Sequence, residues 1–432
     1  MNGAEAATGM GNATRERMMA LLQAGFWLTA VNFVASIGHF AYQLYMGRVL
    51  SLSEFGSFNT TLSLVNLLAV PLAAASQAIT HDLAWHHAND NQRELRQLQF
   101  ACQKMLRHFT WVLSLVALAL IQPLTVFFHF PRTSLMVVAL ACVPITMWSL
   151  LGSVWCAGLS RFKLLAGLNF GTMVVRFAAG VAFVYFFPKA EAAVAATFVA
   201  GWVLASVVVF HRPSKEEVAA ESVEPGESPW TREFIIYLGA ALLVGLANFS
   251  YCFIDQLIAQ RYLQGEELGL YVAAGLLARA VFWGSQPLLV VYFTQRSGRE
   301  HSTRGSISLW LIYVAVVVVG VVLLWLLRVP LCELLLGPKK MHELPAMLEI
   351  LKLFIRVVIP VGILQGLGFY YLAAERLPES YLFGFLGLGY CAVLIFFGRS
   401  MEMMLSLMLG AAVISLLVLL LVAVIRWGRN QP

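Results

Sequence analysis

Three arginines stand inside stretches apolar enough to cross a bilayer: Arg176, Arg279 and Arg356. An arginine side chain cannot shed its proton, and its planar fork of donors grips a phosphate through two parallel hydrogen bonds. Each charge near a bilayer centre costs roughly 2.5 to 3.5 kcal/mol on insertion scales, so three of them need about 8 to 10 kcal/mol of compensation. A water-filled cavity that accepts anions would supply it. Arg176, Arg279 and Arg356 are therefore the candidate substrate-binding cations.

A carboxylate in the same setting does different chemistry, because it can exchange a proton or Na+ and so couple movement of a solute to an ion gradient. Asp255 is the one clear intramembrane acid, which makes it the candidate for ion coupling. A second reading stays open, in which Asp255 only neutralises Arg279 in a buried pair. Lys352 lies one turn before Arg356.

Uncharged polar residues fall into stripes around these charges. Thr29, Asn32, Ser36, His39 and Gln43 follow one another at steps of three and four, which sets them on one helix face. Asn59, Ser63, Asn66 and, further on, Gln77 repeat the pattern in the next apolar run. Asn169, Thr172 and Arg176 share one face, and Asn248, Cys252 and Asp255 share another. Lipid penalises such faces, so they should point inward; Asn32, His39, Asn66 and Asn248 are the candidate polar lining of a hydrated cavity. The alternative is that the stripes bond helices to each other.

Other chemistries find little support. His81, Asp82, His86 and His87 resemble a metal cluster but lack the i, i+4 histidine pair of a helical zinc site, and read as a solvated interfacial group. No metal site and no cofactor is expected. A phosphate-binding P-loop is missing from the sequence, so energy must come from a H+ or Na+ gradient or from a partner. Six cysteines are scattered singly, without C-x-x-C pairs, and read as small buried hydrophobes.

The elements that position these residues follow from composition. With 60% hydrophobic and 12% charged residues and a mean hydropathy of +0.77, the 432-residue chain is an all-α polytopic membrane protein. Its net charge of +6 does not indicate nucleic acid, because Lys and Arg fall mostly in short segments between apolar runs. Those runs mark twelve transmembrane helices: 20–46, 57–81, 107–128, 135–159, 164–187 and 191–210, then 234–259, 270–294, 306–328, 349–373, 379–397 and 402–425. The first is too long for a signal-peptide core and is expected to be retained.

Charge distribution orients them. Cytoplasmic termini place 17 Lys and Arg on the cytoplasmic side and eight on the other, the asymmetry expected of a multi-pass inner-membrane protein. A polar linker, 211–231, carries Pro213, Pro225, Gly226 and Pro229 and divides the chain. The expected organisation is a cytoplasmic tail (1–18), a six-helix bundle (19–210), the cytoplasmic linker (211–231) and a second six-helix bundle (232–428).

A degenerate repeat supports the division. Arg48–Phe58 (RVLSLSEFGSF) and Arg261–Tyr271 (RYLQGEELGLY) share one template: Arg48/Arg261, Leu50/Leu263, Glu54/Glu267, Gly56/Gly269 and Phe58/Tyr271 are each separated by 213 residues. Even numbers of spans put both copies on the non-cytoplasmic side, making the halves parallel repeats around a central cavity. The template reads as a structural joint, with Ser53 and Glu54, or Glu266 and Glu267, capping the following helix and Gly56 and Gly269 allowing close packing. At the same offset Asn66 corresponds to Arg279, so the charge is specialised in the second half.

The run Tyr251-Cys-Phe-Ile-Asp255-Gln-Leu-Ile, followed by Leu263, Glu267, Gly269, Tyr271, Ala273, Gly275, Arg279 and Pro287, resembles the second-half signature of polysaccharide transporters in the multidrug/oligosaccharidyl-lipid/polysaccharide (MOP) exporter superfamily. Leu50, Glu54, Gly56 and Phe58 resemble its first-half partner. The resemblance implies two six-helix bundles around a cationic cavity that alternates between inward-open and outward-open forms. It also implies a flippase or exporter of undecaprenyl-pyrophosphate-linked oligosaccharide or polysaccharide in the bacterial inner membrane, with lipid-linked glycan and membrane lipid as ligands and glycan polymerases or synthases as partners. The cavity arginines of that group carry over to Arg176, Arg279 and Arg356, while twelve helices rather than fourteen set the chain apart from the peptidoglycan-precursor branch. Two rivals are a multidrug/cation antiporter of the same fold, which calls for acidic cavity residues, and an integral-membrane glycan polymerase or ligase, which calls for a large catalytic loop.

Overall fold

The computed structural model describes residues 30–88, 92–159, 161–210, 232–297, 303–374 and 376–429. Among the described residues every regular element is helical. The first half holds α1 (30–49), α2 (Leu52–Ala88), α3 (Gln92–Phe127), α4 (Thr133–Gly158), α5 (Phe162–Phe186) and α6 (Ala190–Phe210). The second half holds α7 (Arg232–Tyr262), α8 (Gly265–Ser297), α9 (Thr303–Leu326), α10 (Arg328–Leu336), α11 (Leu344–Ala373), α12 (Leu377–Phe397) and α13 (Met401–Arg429), with a 3-10 turn at Pro338–Glu343 before α11. Seven helices are individually long and apolar enough to cross a membrane, and α9 with α10 forms a further, broken candidate. The chain is a polytopic all-α membrane protein.

Several helices outrun their apolar stretches. α3 begins at Gln92 rather than near 107, because the polar sequence QRELRQLQFACQK still places Leu95, Leu98 and Cys102 on one face, buried against Leu83 of α2 and Trp155 of α4. α10 differs from expectation in another way. α9 ends at Leu326, close to the expected 328, and the chain then turns by 71° into α10, where no helix was expected. Pro330, which lacks an N–H, lies in the first turn of α10, where no intrahelical donor is required. Gly337, at φ 67°, then ends α10 in a left-handed conformation suited to glycine.

Within the first half α4 packs on α6 and α2; within the second α7 packs on α12 and α11 on α8. The halves meet along α2, which lies against both α7 and α8. Both copies of the Arg-x-Leu-x3-Glu-x-Gly-x-aromatic template lie at the same end of the bundle, called here the motif end. There the two glycines face each other: a Cβ built on Gly56 would lie 3.1 Å from the nitrogen of Gly269. Phe58 and Tyr271 are fully buried just beneath.

The template's acids divide their labour in a way its capping role did not anticipate. Ser51 caps α2, its Oγ accepting from the Glu54 N–H at 3.2 Å. Glu54 reaches away, accepting from Arg132 and from the Ala190 N–H that opens α6. Arg132 also holds Glu191, and its bond to Glu54 raises its already high pKa. In the second copy Gly265, at φ 57°, makes the turn, and Glu266 and Glu267 stay exposed in the first turn of α8.

Contacts cross between the halves at this end in a reciprocal pattern. Lys340, in the second half's link before α11, donates through Nζ to the carbonyls of Gly47 and Leu50 at the end of α1 (2.5 Å each). His129, in the first half's link between α3 and α4, donates through Nδ1 to the carbonyl of Arg261 at the end of α7 (3.1 Å). Arg48 donates to the Leu334 carbonyl in the last turn of α10, and the Arg261 guanidinium lies 4.4 Å from the Phe127 ring. The last carbonyls of a helix have no intrahelical donor and carry the negative end of its dipole, so donors and cations are their natural partners. Here they come from the opposite half. Burial, with Lys339 adding to it, draws the Lys340 ammonium below the usual lysine pKa.

Candidate functional site

Beneath the motif end lies a cavity of about 460 Å³ with walls from both halves. α1 contributes Ser36, His39 and Gln43, and α2 contributes Asn59, Ser63 and Asn66. Thr146, Arg176 and Thr197 come from α4, α5 and α6; Phe253 and Gln256 come from α7, and Arg279 from α8. The polar stripes of α1 and α2 thus converge on one space, as lipid exclusion requires. Gln43 and Gln256, separated by the repeat offset of 213 residues, both line it, and Ser63 donates to the Gln256 side-chain oxygen across the boundary between the halves.

The cavity cations are held differently. Arg279 is 4% exposed, its Nε donating to the Cys252 carbonyl and one Nη to Asp255 Oδ2 at 2.5 Å. Gly275 makes room for it: a Cβ there would come within 2.4 Å of Arg279 Nη1. Asp255 is wholly buried, and its Oδ2 also accepts from the Tyr271 hydroxyl at 3.0 Å. Arg279 Nη1 and Asp255 Oδ1 have no partner among the described residues.

Arg176 sits over the ring of Tyr42, 4.9 Å from its centroid, and Tyr42 is itself anchored by donation to the Ala193 carbonyl. Gly180 leaves space for that ring. Tyr42 and Asp255 are equivalent positions at the 213-residue offset, so the same site in each half holds an arginine, through a ring face in one and a carboxylate in the other. Tyr42 also packs on Phe58 as Asp255 bonds to Tyr271, the corresponding pair. Among the described residues no carboxylate pairs with Arg176. It is half-buried, at the cavity wall.

Of the residues singled out from sequence, the structure brings His39, Asn66, Arg176 and Arg279 together around the cavity. Asp255 stands behind Arg279 rather than at the wall. Asn32 accepts from Asn169 at 2.9 Å, bonding α1 to α5 away from the lining, and Asn248 faces Gly368 of α11. Arg356 is elsewhere altogether: it is exposed on the outer face of α11. Periodicity identifies a polar face but not which neighbour that face meets, and α11 turns its small and apolar residues inward. Gln43, on the stripe expected to face inward, does line the cavity, while Gln256 and Thr197 were missed; the 213-residue pairing of Gln256 with Gln43 was the available signal. Thr29 lies outside the described residues, as do the side chains of Gln77, His81, Asp82, His86 and His87 and the linker 211–231. Among the described residues no group of His, Cys, Asp and Glu is placed to hold a metal, and all six cysteines are free, five of them buried.

Neither a described protein family nor a curated protein sequence matches this chain. Solved structures do. A multidrug resistance MATE family transporter of the MOP superfamily, in its outward-facing conformation, aligns over 95% of this chain and 96% of its own at a TM-score of 0.67 and 11% identity. A MOP superfamily transporter from Pyrococcus furiosus, described as having a binding pocket of reversed polarity, aligns over 92% and 95% at 0.64 and 12%. The lipid II flippase MurJ, in an inward closed conformation, aligns over 92% and 87% at 0.63 and 11%. Arranged as two repeats around a shared polar cavity, the chain has the fold of the MOP-superfamily transporters.

Proposed function

We propose that the chain is a flippase or exporter that moves an undecaprenyl-pyrophosphate-linked oligosaccharide or polysaccharide across the bacterial inner membrane by alternating access. The observation that carries this reading is Arg176, a cavity-wall cation with no carboxylate partner among the described residues. Asp255, the acid beside the cavity, is engaged with Arg279, so Arg176 leaves the cavity positive. Such a wall attracts a pyrophosphate and repels the cations that a multidrug antiporter of this fold would carry. A volume of about 460 Å³ suits a phosphorylated headgroup and its first sugars rather than a long glycan. The polar residues of α1 and α2 would solvate the sugars while the lipid tail stays in the bilayer.

On this reading the motif end faces away from the cytoplasm, both termini lie inside, and the reciprocal contacts of Lys340, Arg48 and His129 form the closed outer gate. The bundles 19–210 and 232–428 rock about the 211–231 linker. Asp255 Oδ1 is the atom to which a proton or Na+ would bind if a gradient drives the cycle. Glycan polymerases or synthases would supply or receive the substrate.

The test is translocation of a labelled lipid-linked glycan by protein reconstituted in vesicles. Arg176→Gln should abolish translocation while leaving the melting temperature within a few degrees of wild type. Unchanged translocation overturns the assignment. Efflux of cationic dyes that depends on Asp255 would instead establish the antiporter reading.

A further inference from the structure

Arg356, displaced from the cavity, belongs to a second cationic feature on the outside of the bundle. On α11 positions 345, 349, 352, 356 and 359 follow at alternating steps of four and three, and all but Lys352, which is partly exposed, are exposed. The 71° break between α9 and α10 opens a groove of about 540 Å³ at the head of this stripe, lined by Arg328, Pro345, Leu348, Glu349 and Lys352 among others. Arg328 is fixed there, its Nη1 donating to the Trp325 carbonyl at 2.6 Å and its guanidinium stacked 4.3 Å from the Trp325 ring.

The charges do not cancel. Glu349 pairs with Lys352, and among the described residues neither Arg328 nor Arg356 has a carboxylate partner. Three cations against one acid leave a charge of +2 on a face where Leu326, Leu327 and Ile359 are exposed to lipid. Arg356 lies twelve residues beyond Leu344, about 18 Å along the helix. Helical side chains tilt toward the N-terminus, which directs Arg356 toward Lys352, one turn before it, and the exposed Trp325 stands at that same end. The groove offers the Arg328 fork and the Lys352 ammonium, with Arg356 one turn further along α11 and exposed apolar surface beside them.

We propose that this groove is a binding site for an anionic phospholipid of the surrounding leaflet, its phosphate held by Arg328 and Arg356 with Lys352 beside it and its acyl chains lying on α9 and α11. A phospholipid brings both the phosphate that these cations pair with and the acyl chains that the exposed apolar surface beside them accepts, whereas a soluble anion would bring only the first. The site is separate from the cavity and does not depend on the transported solute.

The test uses the full-length protein in phosphatidylcholine–detergent micelles, titrated with fluorescent phosphatidylglycerol or fluorescent phosphatidylcholine. Wild type should prefer phosphatidylglycerol, and Arg328→Gln/Arg356→Gln should weaken that preference about tenfold. Arg328→Lys/Arg356→Lys should retain most of it, and Arg356→Gln alone, on an exposed face, should show a smaller loss in the same direction. Lys189→Gln/Lys339→Gln removes the same charge from exposed positions at the same end and should change nothing; an equal loss there would reduce the site to diffuse attraction. A preference that survives the double glutamine variant overturns the proposal. So does displacement of the lipid by inorganic phosphate, or a dimer, seen by light scattering, that the glutamine variant dissociates.

Discussion

Gly56 and Gly269, equivalent residues of the two repeats, touch across the boundary between the halves: a Cβ on Gly269 would lie 2.2 Å from the Leu52 carbonyl oxygen. Backbone cannot yield as a flexible side chain can. Gly269→Ala should therefore push α2 and α8 apart, at a cost of about 1–3 kcal/mol, read as a lowered melting temperature. Gly265→Ala is the comparison, since it meets no atom within 4 Å but sits at φ 57°. Its penalty should be nearer 1 kcal/mol, from backbone strain alone.

The reciprocal capping at the motif end predicts a shift in conformation. Lys340→Met removes two donations to the end of α1 and Arg48→Met removes one to α10. Hydrogen bonds from charged groups contribute about 1.5–3 kcal/mol each, less where solvent reaches them, so the double variant should raise the open population about tenfold or more. Spin labels at exposed Lys189 and Lys339 would report this as a longer distance. An unchanged distance distribution would show that side-chain packing alone holds the end closed.

Asp255 and Arg279 form a buried pair with little water to replace a missing partner. Asp255→Asn should destabilise the protein by about 3–5 kcal/mol, because it strands the guanidinium charge. Combining it with Arg279→Gln should recover part of that loss, and a thermal double-mutant cycle measures how much. Additive losses would mean that the two are energetically independent.

Arg132 bridges Glu54 and Glu191 on a partly exposed surface. Glu54→Gln weakens that bridge and the acceptor for the Ala190 N–H. The expected loss is about 1 kcal/mol, since solvent screens the pair. It should shrink further when the melting curve is repeated at high salt.

Membrane insertion, helical class, duplication and the inward direction of the α1 and α2 stripes were legible in the amino-acid sequence, because each follows from local composition and period. A run of twenty apolar residues has few alternatives to a spanning helix. A polar residue every third or fourth position avoids lipid whatever the fold. The 213-residue offset also revealed the joint between repeats and the Asn66/Arg279 correspondence. Which charge meets which was decided only by tertiary packing. Arg279 and Arg356 look alike as isolated cations in apolar runs, yet α8 turns one toward Asp255 and the cavity while α11 turns the other outward. The same holds for Lys340 at the end of α1 and His129 at the end of α7, residues nearly 300 and over 130 positions from their acceptors. Such pairings depend on how the helices rotate and cross, and that is set by the steric fit of side chains from distant segments, such as Gly56 against Gly269, rather than by any local pattern.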